Sequence, residues 1–153
     1  MTLREEDDAL ARDGNWHRLT IRGDPRAMEQ TGPNLGVSIG AVNQEETVLT
    51  RHHVGAVIDT GSQVSCISLR MVPRMRGGVK GVRSILHFRG KVENERTIRG
   101  AVQFENGVQF IRDFSILEYL DPYDVLIGRD ILKHCRLYMD LGSGFFQLYF
   151  PAD

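Results

Sequence analysis

Apolar and polar positions alternate along most of this chain with the period of two that half-buried strands require. Leu35, Val37 and Ile39 alternate with small or polar residues, which predicts a strand starting near Asn34. Residues 47–50 and 54–58 predict two further strands around a loop at Arg51, His52 and His53. Another apolar run spans 64–68. Pro73, Gly77, Gly78 and Gly81 then mark a loop. Residues 84–88 and 95–99 read as the arms of a hairpin around Arg89, Gly90 and Lys91, with Gly90 suited to its tip. Residues 101–104 and 108–110 form a second hairpin, turning at Glu105, Asn106 and Gly107. Strands at 114–117 and 125–127 follow, and the latter runs into a short helix over 129–134. Residues 137–139 and 145–150 close the chain around Asp140, Leu141, Gly142, Ser143 and Gly144. Many short strands, one brief helix on the C-terminal side and no βαβ rhythm predict an all-β fold.

Residues 1–33 do not share this pattern. They are polar and charged, with Gly23, Asp24 and Pro25 and then Gly32 and Pro33 as breakers. They read as a polar N-terminal extension, either flexible or carrying a short helix over 5–12, ahead of a folded domain at 34–153. A chain of 153 residues with 41 % hydrophobic content suffices for one core of that size.

A formal net charge of -1 gives no bulk attraction to nucleic acid or to an acidic membrane surface, so neither is expected as a partner. The charge is unevenly placed: residues 70 to 99 carry nine Lys or Arg against Glu93 and Glu95. That stretch reads as a solvated basic face, or as a basic lip around a cleft that prefers acidic peptides. Two cysteines, Cys66 and Cys135, sit in apolar surroundings and predict buried free thiols rather than a disulfide framework. No apolar run approaches the ~18 residues of a membrane span. The N-terminal residues lack the apolar stretch of a secretory signal, so a cytoplasmic location is expected.

The position that carries chemistry is Asp59. It follows the apolar run 54–58, and Thr60, Gly61 and Ser62 come next, before the chain enters another apolar run. A carboxylate is thereby placed at the tip of a buried strand, where Gly61 permits a sharp turn. Far downstream, Val125, Leu126 and Ile127 run through Gly128 into Arg129, Asp130, Ile131 and Leu132. Other chemistries fit poorly. The five histidines have no metal-ligand spacing, and no cofactor is expected. Ser62 lacks a nucleophile elbow. Gly77, Gly78, Val79, Lys80 and Gly81 lack the spacing and the following Ser or Thr of a phosphate loop.

These two elements, in this order, resemble the retropepsin family of aspartic proteases, over about residues 35 to 150. The resemblance implies a single-lobed acid-protease fold in which each chain is half an enzyme, so the expected assembly is a homodimer. It implies an aspartic endopeptidase with Asp59, Thr60 and Gly61 in the catalytic turn. Two Asp59 carboxylates, one from each chain, would share a proton and activate a water. Thr60 would hydrogen-bond across the dimer axis, and Ser62 would donate to Asp59. The hairpin around residues 84–99 falls where such enzymes carry a flap over a peptide substrate. Ser62, Phe88, Arg89 and Gly90 are the expected substrate contacts. Where retroviral enzymes often place an acid that pairs with the arginine matching Arg129, this chain has Gln63, so Arg129 needs another partner. Asp140, Leu141 and Gly142 only mimic a second motif and read as a turn. The strand at 145–150, apolar on both faces, is expected as an edge that pairs across the dimer, or else as core. The rival to the protease is a dimerisation or peptide-binding module of the same fold with little or no activity.

Overall fold

A computed structural model describes residues 16–86 and 89–151. Its ten strands fall into two sheets. The larger contains β2 (Asn34–Val42), β3 (Val48–Ile58), β4 (Cys66–Ser68), β5 (Lys80–Leu86), β6 (Val92–Gln103), β7 (Gln109–Leu117) and β8 (Val125–Ile127), in the order β2-β3-β8-β4-β7-β6-β5. An added β2–β6 pairing closes six of these strands into a barrel and leaves β5 outside it. The smaller sheet has the order β1-β10-β9, from Trp16–Arg22, Phe145–Pro151 and Arg136–Asp140. Ile39, Ile67, Ile98, Phe114, Ile127, Phe146, Leu148 and Phe150 are fully buried in one continuous core. Each such side chain contributes roughly 1.5–3 kcal/mol through removal from water.

The all-β expectation agrees with this mostly-β barrel, but there is a second helix, α1 (Pro25–Thr31). Asp24 caps it by accepting from the Arg26 amide at 3.0 Å, and Pro25 occupies its first turn. The same Asp-Pro pair that reads as a breaker is therefore a helix start. Its one buried residue, Met28, joins the core. Residues 16–33 are thus built into the fold rather than forming a loose extension, and β1 pairs with β10 along its whole length. The expected helix over 5–12 lies outside the described residues. The helix near the C-terminus, α2, spans Arg129–Leu132.

The strands are longer and fewer than the alternation suggests. Residues 47–50 and 54–58 belong to one strand, because β2 continues to pair through the supposed loop: Ile39 faces His52 and Ser38 faces His53. Likewise β6 runs unbroken through Gly100. The terminal strand β10 is neither an edge nor available to a second chain. It lies in the middle of its sheet, between β1 and β9, which explains why both of its faces are apolar. Leu141–Ser143 is a single 3-10 turn, closed by Asp140 accepting from the Ser143 amide, as the turn reading of this segment requires.

Candidate active site

β8 is the keel of the site. It pairs in parallel with β3, Ile58 opposite Ile127, and antiparallel with β4, Cys66 opposite Leu126. The chain between β3 and β4 must therefore pass around the end of β8. Asp59 begins that passage. Its amide donates to the Ile127 carbonyl at 3.0 Å, which extends the parallel ladder by one bond. The Gly61 amide donates to Asp59 Oδ1 at 2.9 Å and fixes the carboxylate's orientation. The Ser62 amide donates to the Asp59 carbonyl at 3.2 Å and closes the turn. A side chain at Gly61 would crowd Asp59 Oδ1, since its Cβ would stand 3.1 Å away.

The return of β8 presses against this turn at Gly128. A Cβ there would lie 2.4 Å from the Val64 carbonyl oxygen and 3.0 Å from that of Ser62. Neither backbone can yield cheaply, so the crossing requires glycine. The Arg129 amide then donates to the Ser62 carbonyl at 2.8 Å, and Arg129 Nη1 donates to the Thr60 carbonyl at 3.0 Å. Thr60 thereby supplies the partner that Gln63 does not. Beneath, the fully buried Ser65 accepts from the Gly128 amide at 3.0 Å and donates to Asp130 Oδ1 at 2.6 Å. The Ser65 carbonyl accepts from the Ser115 amide, which ties the turn to β7.

The entrance to β8 is stapled too. Asp124 accepts from Ser68 Oγ at 2.8 Å and from Arg70 Nε, while Arg70 Nη1 reaches Asp121. The Asp124 hydrogen bond is the main cause that lifts the exposed Arg70 guanidinium above its ordinary pKa.

One expected contact is absent. Ser62 Oγ donates to the Val64 carbonyl at 2.7 Å, not to Asp59. A hydroxyl has a single proton, and the local geometry commits it to the backbone. Ser62 is thus part of the turn's own bracing.

Opposite Asp59 stand the arms of the β5–β6 hairpin, paired from Lys80 with Ile98 to Leu86 with Val92. The first arm starts at Lys80, earlier than the alternation predicts, and the second extends beyond the expected 95–99 at both ends. Arg89 and Gly90 are exposed near the tip, Gly90 at φ +78°, and Phe88 lies outside the described residues. Between turn and hairpin is a groove of about 500 Å³, lined at its base by Asp59, Gly61, Ser62 and Val64. Arg89 and Gly90 do not line it. It is also lined by residues that the sequence did not single out for the site, among them Ile85, Glu95 and Leu117. Alternation marks these as strand residues but cannot say which face of a hairpin turns toward a site.

Cys66 also lines the groove, and its thiol is pushed up to about 12, chiefly by burial, with Glu95 adding to the rise and Arg83 opposing it. Cys135 is raised to about 12 by burial alone. Both cysteines are free. Among the described residues no group of three or more His, Cys, Asp or Glu could hold a metal ion. Nor, among the described residues, is any helix long and apolar enough to cross a membrane.

A barrel with an Asp-Thr-Gly turn threaded around a glycine-terminated strand, and a hairpin standing over it, defines a single acid-protease lobe. The family model of the retroviral aspartyl protease matches residues 29–140, and the chain belongs to that family. Among solved structures it is similar to a retropepsin-like aspartic protease from Rickettsia conorii, at 13 % identity and a TM-score of 0.53. That match covers 90 % of this chain and 93 % of the other, and it shows the shared fold. No curated protein matches the sequence.

Proposed function

We propose that this chain is an aspartic endopeptidase that works as a homodimer, with Asp59, Thr60 and Gly61 of both copies in one active site. The observation that carries the proposal is the Asp59 carboxylate, oriented by the Gly61 amide at the floor of a groove large enough for an extended peptide. The chain has one such motif, and the chemistry needs two carboxylates. Two of them held close together cannot both ionise cheaply, so the pair keeps one proton. The ionised member takes a proton from a bound water, and the protonated member polarises the scissile carbonyl and stabilises the developing oxyanion. No covalent intermediate forms. Thr60 is exposed at the rim of the turn, which leaves its side chain available to a second copy. Peptide would lie in the groove as an added strand, under the β5–β6 hairpin acting as a flap.

The test is a mass-spectrometric digest of a peptide library by the wild-type protein and by Asp59→Asn. Cleavage is expected from the wild type and none from the variant, because two amides can fill neither protonation role. Asparagine can still accept from the Gly61 amide, so the melting temperature should stay within about 3 °C. Specific activity should rise with protein concentration as dimer forms. Constant specific activity in a sample that sediments as monomer would end the homodimer reading. Peptide capture without cleavage by the wild type would establish the binding-module alternative.

A further inference from the structure

We propose that Glu95 makes the groove beside Asp59 a subsite for a basic side chain, Arg or Lys, of an extended peptide. This deepens the protease reading and rests on it.

The lining of the groove combines an aliphatic surface, from Ile85, Leu86, Leu117 and Leu126, with Glu95. Such a lining fits a side chain with a long apolar stem and a cationic head, since Arg and Lys bury their methylenes and keep the charge at a polar partner. Three other charged groups bear on the choice. Asp59 adds negative charge at the floor. Arg129 also lines the groove, but its Nη1 is committed to the Thr60 carbonyl. Arg83 stands opposite Glu95 in the hairpin register, yet its Nη2 is drawn to Ser115 Oγ at 2.8 Å and it does not line the groove.

The basic stretch around the hairpin does not reverse this sign. Lys80 and Arg96 line a separate depression with Leu69, Val72, Val82 and Ile116. Lys80 and Arg96 thus lie away from the groove, whose charged lining is Asp59, Glu95 and Arg129. The groove-lining Cys66 thiol is raised first by burial and then by Glu95, with Arg83 opposing, which places the Glu95 charge close to the groove.

The experiment uses a set of fluorescent decapeptides, identical except for Arg, Leu or Glu at one central position, scanned through the sequence. Binding is read by anisotropy on Asp59→Asn protein, and cleavage on protein with Asp59 intact, each with and without Glu95→Gln. At one position, Arg should be preferred to Leu by about tenfold, the scale of one charge-assisted hydrogen bond after solvent competition. Glu95→Gln should remove that preference while leaving the Leu peptide unchanged. No Arg preference at any position overturns the subsite, as does a preference that survives Glu95→Gln. Equal loss of the Leu peptide in Glu95→Gln also overturns it, since Glu95 would then serve the fold. Selective binding without cleavage sinks the protease reading and keeps the subsite. Cleavage that ignores Glu95 does the reverse.

Discussion

The Asp59 turn and the β5–β6 hairpin face one groove, and they are held in opposite ways. The turn is braced from every side: by the Ile127, Ser62 and Thr60 carbonyls, by Ser65 below, and by the backbone of Gly128 pressed against Val64. The distal hairpin is braced mainly by its own pairing. β5 has β6 as its one partner in the sheet, and Val82, Leu86 and Val92 are 69 %, 61 % and 59 % exposed. In the proposed dimer, a carboxylate that meets its twin needs a floor that does not give. A hairpin proposed to admit and release a peptide is expected to come from the least stable part of the fold.

The largest contrast is expected between two glycines. Gly128→Ala drives a Cβ into the backbone of Val64 and should cost about 3 kcal/mol or more, lowering the melting temperature by roughly 6–12 °C. Gly90→Ala has nothing within 4 Å and carries only the cost of φ +78°, about 1–2 kcal/mol confined to the tip. Its melting temperature should barely change, while peptide cleavage falls. Equal losses of stability would show that hairpin and barrel unfold as one unit.

Hydrogen exchange should separate the same two regions. Amides of β3 and of the Asp59 turn should exchange only with global unfolding. Amides of Ser84, Ile85, Glu93 and Asn94 should exchange at least about tenfold faster through local opening. Uniform protection would remove the distinction between floor and cover.

Thiol chemistry gives a smaller and pH-dependent signal. Cys66 and Cys135 both have a folded pKa raised from 9.0 to about 12 by burial. The protonated form is the one favoured in the fold, so its full stability holds below pH 9 and declines as pH rises from there toward 12. At pH 8 a thiol reagent should label neither cysteine in the native protein and both in denaturant. Rapid native labelling of Cys66 would mean that the floor opens as readily as the cover.

The smallest effect is expected from Ser62→Ala. Its hydroxyl braces the Val64 carbonyl rather than the carboxylate, so the variant should lose about 1 kcal/mol of stability and leave the pH profile of cleavage in place. A profile displaced by half a unit or more would show that Ser62 turns toward Asp59 when substrate binds.

What the sequence determined by itself was local. Asp59, Thr60 and Gly61 lie within a few residues of a buried strand, and both the turn chemistry and the apolar flanks can be read in place. Gly128 followed by Arg129, Asp130 and Ile131 is equally compact, and so is the alternation that makes the chain all-β. The start of α1 was also there to be read, in Asp24 and Pro25, where breaker and helix signals share the same letters. Tertiary structure decided everything that depends on which strand lies beside which. His52 and His53 continue a strand because β2 pairs with them, though their polarity suggests a loop. β1 is a faint pattern, with Leu19 its one buried residue, because it is the outer strand of a small sheet. β10 is apolar on both faces because it is central rather than because it seeks a second chain. Ser65 finds Asp130 sixty-five residues away, and the groove-facing side of the hairpin, with Glu95 on it, is set by barrel closure. Strand alternation gives each residue a face, but only the register of its neighbours says which face is the inside.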